Sequence, residues 1–293
     1  MSEKHPIVVI TGSSGAGTTT VKTAFNRIFR REGLTAAVVE GDSFHRYDRK
    51  AMKELMAKAL KKHRNFSHFG PEANDFRTLQ ELFQTYAETG TGRHRYYIHN
   101  EEEAEMHGSA PGTFTDWEEL PRPTDMLFYE GLHGCVQTED VDLARLADLK
   151  VGVAPIINLE WIQKIHRDGS ERGHLPEDVT DAILRRMYDY VHYITPQFSI
   201  TDINFQRVPL VDTSNPFIAR DIPTLDQSQI VIRIADPRNW DVDFDHYLSR
   251  IEGSFMSARN MIVVPGGKME MAMEIVMMDM LSTIGIIKNH VRK

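Results

Sequence analysis

Two carboxylates, a glycine-rich turn and a row of cations are the residues of this chain that can do chemistry. Residues 11–20 read TGSSGAGTTT, directly after the apolar run IVVI. Gly12 and Gly17 have the spacing of a phosphate loop, G-x-x-x-x-G-K-[ST], which sits between a strand and a helix. Glycines let backbone N–H groups turn inward around phosphate oxygens, and the following helix adds free N–H groups and a positive dipole end. Gly12, Ser13, Ser14, Gly15, Ala16, Gly17, Thr18 and Thr19 form the candidate cradle. Thr19 stands where a metal-binding hydroxyl belongs, and Thr18 stands where the lysine is expected. A loop of this kind needs its positive charge from elsewhere, unless it is only a strand-to-helix turn.

A second cluster is EGDSFHRYDR, residues 40–49. It follows a strand pattern, and open α/β sheets bind ligands at the carboxyl ends of their strands. Asp42 there either receives a proton from an acceptor alcohol during phosphoryl transfer or caps a helix. His45, Arg46 and Arg49 add hydrogen-bonding and cationic groups. A third candidate is Glu130 in LFYEGLHG, at the end of a buried strand. Such a residue either approaches the magnesium ion of a bound nucleotide or is a turn carboxylate. His133 reads as structural support.

The missing lysine has candidate replacements in NLEWIQKIHRDGSERG. Lys164 and Arg167 are three apart on a predicted helix and share a face. Arg172 follows, and Arg185 and Arg186 begin another basic patch. Spreading negative charge on a transferred phosphoryl group needs nearby cations. Arginine's planar fork also suits a phosphate already on a substrate, a task open to Arg172 or Arg186. The alternative for each is solvated helix charge.

The elements that must position these groups are legible. IVVI (7–10) and AAVVE (36–40) read as buried strands, with an amphipathic helix over VKTAFNRIFRREG and Gly33 as its C-cap. This is a βαβ opening. Further strands are predicted over DMLFYEG, DLKVGVAPI, QIVIRIADP and MIVVPGG. Helices are predicted over KAMKELMAKALKKH, FRTLQELFQTYAETG, NLEWIQKIHRD and EDVTDAILRRMYDYVHYI, the last ended by Pro196. KMEMAMEIVMMDMLSTIGII has six methionines in its first thirteen residues, a pattern for soft core or subunit contact. The chain reads as one domain over 1–293, with a polar lid or insert at roughly 50–117.

The 293 residues carry 34 Lys plus Arg against 42 Asp plus Glu, a net charge of −8. That balance argues against a general nucleic-acid binder, yet a local arginine cluster still suits an anionic small substrate. Cys135 is the single cysteine, so an intrachain disulfide is impossible and insensitivity to dithiol reduction is expected. MSEKHP lacks a signal-peptide pattern and no apolar run is long enough to span a bilayer, which predicts a soluble cytoplasmic protein with no membrane contact.

With these residues in view, the chain resembles the phosphoribulokinase family in its bacterial branch. The shared stretches are GSSGAGT, EGDSFHR, FSHF with EAND, APGTFTDW, LFYEGLHG, INLEWIQKIHRD, TDINFQRVP, VDTSNPFIAR and MIVVPGG, and they cover nearly the whole chain. The resemblance implies an adenylate-kinase-like P-loop α/β core, a mixed sheet flanked by helices. It implies ATP and Mg²⁺ as reactants and ribulose 5-phosphate as acceptor, phosphorylated at the 1-hydroxyl. By similarity Asp42 is the catalytic base, Glu130 the carboxylate near magnesium and Lys164 the catalytic cation. His45, Arg49, Arg167 and Arg172 match groups that hold the sugar phosphate, with Asp168 beside them. The family's loop also lacks the lysine. It further implies a homo-octamer activated by NADH, with Arg31 and Arg233 in an effector site between subunits. Two alternatives stay in view, a uridine-kinase-like nucleoside kinase and a non-catalytic nucleotide sensor that keeps the fold.

Overall fold

The computed structural model describes residues 5–12, 18–172, 175–219 and 221–287. In chain order the elements are β1 (Ile7–Gly12), α1 (Thr18–Glu32), β2 (Ala36–Glu40), α2 (Arg49–Lys61), α3 (Phe76–Thr89), β3 (Arg93–His94), α4 (Glu101–His107) and β4 (Glu118–Glu119). They continue with β5 (Met126–Gly131), β6 (Leu149–Ala154), α5 (Ile157–Arg172), α6 (Pro176–Asp189), β7 (Ile203–Pro209), β8 (Ser228–Ile234), α7 (Phe244–Arg250), β9 (Phe255–Ala258), β10 (Met261–Pro265) and α8 (Met269–Thr283). Eight strands form a mixed sheet in the order β2-β5-β1-β6-β7-β8-β10-β9, and β3 and β4 form a separate two-stranded sheet. No helix among the described residues is long and apolar enough to cross a membrane.

Residue contacts divide the chain into two compact units. The first comprises residues up to Val9, Thr35–Asp148 and Arg185–Ser199. The second comprises Ile10–Leu34, Leu149–Leu184 and the chain from Ile200 onward.

In the first unit, β2 and β5 pair in parallel with Ala36 opposite Met126 and Glu40 opposite Glu130. Met126, Leu127, Phe128 and Tyr129 are all buried, as expected of a parallel strand covered on both faces. Asp148 ties the start of β1 in place: its Oδ2 accepts from Ile7 N at 2.9 Å. Helix α3 is capped by Asp75 and closed by Gly90 in the left-handed conformation at φ 65°. After α6, one predicted helix over 177–194 is in fact two conformations. The α-helix stops at Asp189, a π-helical turn runs over Tyr190–Ile194, and a 3-10 turn covers Thr195–Ser199. Thr195 N donates to Tyr190 O, five residues back. Pro196 has no N–H to continue an α-helical ladder, so the backbone closes by wider and then tighter turns.

In the second unit, β6 and β7 run parallel, while β7–β8, β8–β10 and β10–β9 are antiparallel. Strand β7 was not visible in the sequence, because its second half, Gln206–Pro209, is only half-buried and polar. Gly33 closes α1 at φ 66°, with Leu34 N donating to Phe29 O at 2.9 Å. Helix α1 packs on α8 through Phe25 and Ile28 among other buried groups. At the rim, Arg27 pairs with Glu270 at 2.6 Å and Glu274 at 3.3 Å. The methionines of α8 fill this core: Met269, Met273, Met277, Met278 and Met280 are buried, whereas Met271 is 45% exposed.

That asymmetry yields a test by urea denaturation. Met273→Ala is expected to cost about 2–5 kcal/mol, the range for emptying a buried site. Met271→Ala is expected to stay within about 0.5 kcal/mol of wild type. Equal losses would show that α8 does not bury the face described.

Candidate active site

The site residues fall in two groups, one in each unit. In the first unit, β2 and β5 end side by side at Glu40 and Glu130. Gly41 follows β2 and Gly131 is the last residue of β5, and these two backbones almost touch. A Cβ on Gly131 would lie 2.8 Å from the Gly41 Cα and 2.7 Å from the Tyr129 hydroxyl. A Cβ on Gly41 would lie 2.5 Å from that hydroxyl. Any side chain at either position forces the strand ends apart. Beyond Gly41 the chain enters a 3-10 turn, Gly41–Phe44, which carries Asp42.

Asp42 is the centre of a histidine cluster. Its Oδ1 lies 3.2 Å from His45 Nε2, and its Oδ2 lies 3.7 Å from His99 Nε2. The carboxylate is 40% exposed, open enough for a ligand. Burial alone would raise its carboxyl, but the hydrogen bond and charge of His45, followed by His99, outweigh it. Asp42 is thereby held well below the usual carboxylate range. For His45, burial opposes the charge, yet the hydrogen bond and charge of Asp42 and then the bond to Asn74 raise its pKa. The neighbouring His68 is pushed down to about 3 by burial, then by His45 and Arg186. Burial likewise pushes His133 down to about 4. Asp42 is not the cap of α2; Asp48 fills that role, accepting from Ala51 N at 2.7 Å.

Several side chains that the sequence did not single out build this cluster. Asn74 Oδ1 meets His45 Nδ1 at 2.7 Å, and its Nδ2 donates to His68 O at 2.9 Å and Gly70 O at 2.7 Å. Arg95 donates to Ser43 O at 2.9 Å and His45 O at 2.8 Å, with its guanidinium over the Phe114 ring at 3.7 Å. It thus supports the Asp42 turn from its carbonyl side. Ser67 donates to Asp189 Oδ2 at 2.6 Å, anchoring the loop that carries His68. The FSHF, EAND and APGTFTDW stretches contain or adjoin most of these groups, so the signal was on the page without a geometry to interpret it.

The remaining first-unit candidates are placed as follows. Arg49 opens α2 and donates to His99 O at 2.9 Å, joining the Asp42 turn to the His99 segment. Arg46 donates to Asn74 O at 2.7 Å. The Arg186 guanidinium carbon sits 5.7 Å from the centre of the Phe69 ring. His133 Nε2 donates to Phe69 O at 2.9 Å, the structural role the sequence suggested.

In the second unit, Lys164, Arg167 and Asp168 lie on α5, as the helical spacing predicted. Lys164 Nζ is 2.5 Å from Asp168 Oδ2, and Arg167 Nε is 3.5 Å from Asp168 Oδ1. Asp168 is buried and gathers both cations on one side of the helix. Gly12 ends β1 and Thr18 begins α1, so the glycine-rich stretch lies between a strand and a helix, as a phosphate loop requires. Ser13, Ser14, Gly15, Ala16 and Gly17 lie outside the described residues, and so do the side chains of Thr18, Thr19 and Arg172. Arg31 is on α1, 3.0 Å from Glu32 and 3.8 Å from Glu274. Arg233 is on β8, in register with Asn204 and Met261. Among the described residues no cluster of three or more His, Cys, Asp or Glu could hold a metal ion by itself. A strand-end carboxylate such as Glu130 is an oxygen donor of the kind that suits magnesium carried by nucleotide phosphates.

A mixed sheet opened by a strand, a glycine-rich turn and a helix, with acidic residues at its strand ends, defines a P-loop kinase of the α/β class. The profile of the Phosphoribulokinase / Uridine kinase family matches residues 7–214. The chain is 61% identical over 277 residues to the chromosomal phosphoribulokinase of Cupriavidus necator, covering 94% of each. It is 58% identical over 282 residues to the phosphoribulokinase of Nitrobacter vulgaris, covering 96% of this chain and 97% of the relative. The solved phosphoribulokinase from Rhodobacter spheroides superimposes with a TM-score of 0.89 at 53% identity, covering 97% of this chain and 98% of that one. The chain belongs to the phosphoribulokinase / uridine kinase family.

The neutral histidines predict a pH dependence of stability. His133 has a folded pKa below its unfolded value of about 6.5. Its contribution is complete above pH 6.5 and is lost as pH falls toward 4, where the unfolded chain has taken the proton first. The slope is about 1.4 kcal/mol per pH unit at most for one such group. His133→Gln, which cannot titrate, is expected to flatten the stability curve between pH 6.5 and 4. An unchanged slope would mean that His133 is protonated in the folded protein.

Proposed function

We propose that this protein transfers the γ-phosphoryl group of ATP to the 1-hydroxyl of D-ribulose 5-phosphate, giving ribulose 1,5-bisphosphate and ADP. The observation that carries the reading is the Asp42 carboxylate, kept ionised by His45 in the turn two residues beyond the strand end where Glu40 pairs with Glu130. An alcohol is a weak nucleophile, and a carboxylate at that place receives its proton as the phosphoryl group moves. Glu130 and the Thr19 hydroxyl are the residues that would hold magnesium carried by the nucleotide phosphates, and the ion would neutralise charge on them. The residues of the chain do the rest. The glycine loop Gly12–Thr19 cradles the nucleotide phosphates through its backbone N–H groups. Lys164, oriented by Asp168, supplies the cation that the loop lacks.

The acceptor's own phosphate needs cationic partners, and His45, Arg49 and Arg186 of the first unit and Arg167 and Arg172 of the second are assigned to that role. A nucleoside acceptor would not need that charge, which sets this reading above a uridine-kinase-like one. Residues 50–117 act as a lid or insert within one catalytic domain spanning 1–293. We assign Arg31 and Arg233 to an NADH effector site in a homo-octamer and place the enzyme in the cytoplasm.

Asp42→Asn is expected to lower kcat at least a thousandfold while ATP binding stays measurable by calorimetry; near-normal turnover would sink the base assignment. Lys164→Met should act mainly on kcat, and an effect confined to KM for the sugar phosphate would make it a substrate-binding group. The primary assay is ribulose 5-phosphate-dependent ADP release with and without NADH, with the product identified by mass and phosphate position. ATP binding without sugar-dependent turnover would favour a nucleotide sensor. Cys135 is fully buried, so dithiothreitol is expected to leave activity unchanged; strong activation by the reductant would contradict this.

A further inference from the structure

Asn74 is 2% exposed, and its amide orientation is dictated by its surroundings. Its Nδ2 faces two backbone carbonyls, His68 O and Gly70 O, which can only accept. Its Oδ1 therefore faces His45 Nδ1, and an amide oxygen can only accept. The hydrogen of that 2.7 Å contact must be on His45 Nδ1. On the other side of the ring, Nε2 lies 3.2 Å from Asp42 Oδ1. A neutral ring with its hydrogen on Nδ1 would present a lone pair to a carboxylate, which is repulsive. The contact is attractive only if Nε2 also carries a proton.

We infer that Asn74 is a positioning residue that keeps a hydrogen on His45 Nδ1, so that His45 meets Asp42 as an imidazolium and leaves Asp42 Oδ2 as the atom that takes the acceptor's proton. The proton released by the acceptor alcohol goes to Oδ2, and the His45 proton stays where it is. The surroundings agree. His68 is 4.8 Å from the His45 ring, centre to centre, and burial keeps it neutral. His133 is neutral for the same reason. Tyr97 stands 6.2 Å away edge-on. Arg95 opposes the charge from the backbone side, and Asp42 is the anion that answers it. His99 Nε2, on a side chain 42% exposed, lies 3.7 Å from Oδ2, the carboxylate oxygen that His45 does not contact. Asn74 lies in the EAND stretch, to which the sequence assigned no function. The role of Oδ2 rests on the proposed reaction, whereas the protonation of His45 does not.

The test compares Asn74→Ala with Asn74→Asp. Both lose the two amide donors to the His68 loop, and the aspartate in addition sets an acceptor oxygen toward the two carbonyls. Only the aspartate keeps an acceptor for His45 Nδ1. In protein carrying ¹³C at histidine Cε1, the His45 signal is identified by its absence in His45→Asn and followed from pH 6 to 10. In wild type and Asn74→Asp, His45 is expected to lose its charge at least one pH unit above the point seen in Asn74→Ala. The alkaline limb of kcat/KM should move with it, a tenfold or larger difference at the intermediate pH. His45 titrating at one pH in all three proteins, or neutral in wild type at pH 7, overturns the inference. Should Asn74→Ala fail to fold, Asn74→Asp decides against wild type: a lower titration point for His45 overturns the inference, and an equal or higher one supports it. If His45 titrates as expected but no ribulose 5-phosphate turnover occurs, the reaction is wrong and the protonation state stands.

Discussion

Everything in the first half of the site depends on the near-contact of two glycines. Strands β2 and β5 run parallel to Glu40 and Glu130, and their next residues, Gly41 and Gly131, meet under the Tyr129 hydroxyl. There is no space for a Cβ at either place. The approach lets two strand ends that carry carboxylates stay paired to the last residue, and then sends the chain after β2 sharply into the Asp42 turn. Crowding anionic side chains at adjacent strand ends is electrostatically unfavourable by itself. It persists because the parallel pairing of the sheet fixes the backbone to the last residue.

The two halves of the site use charge in a common way. A carboxylate in each unit is held by its neighbours: Asp42 by His45, and Asp168 by Lys164 and Arg167. The clasp orients both partners. The net charge of −8 is carried in part by surfaces such as α4, whose first turn is Glu101, Glu102 and Glu103. The neutral histidines serve the other requirement. By burying without charge, His68 and His133 keep the positive charge of the cluster on His45, where it faces Asp42.

Much of the fold was legible because the signals were local. The continuous apolar runs IVVI and MLFY are buried on both faces, as parallel strands must be. Gly33 ends α1 in the left-handed conformation that a residue with a Cβ disfavours. The methionine-bearing helix α8 is core on most of its surface. Other elements were invisible for equally physical reasons. β7 has a polar second half and exists because β6 and β8 supply hydrogen-bond partners on either side. β9 is short and mostly exposed, and it pairs with β10 at the edge of the sheet. The π and 3-10 turns after α6 follow from Pro196 together with Gln197, whose side chain donates to Leu132 O and Tyr193 O and accepts from Cys135 N.

The sequence by itself determined the class of chemistry. Residue type and spacing are enough to specify a glycine loop between strand and helix, a carboxylate after each of two strands, and a helical pair of cations with an acid four residues from the lysine. These are short-range facts, set by backbone geometry over a few residues. Only the tertiary structure decided which atoms face each other. Asn74, Arg95, His99 and Asp189 are 28 or more residues from a partner they hold or orient, as with Asn74 to Arg46 at 28 and Ser67 to Asp189 at 122. No pattern in a linear chain reports such pairings. The protonation of a histidine depends on which group meets each ring nitrogen, and packing alone sets that.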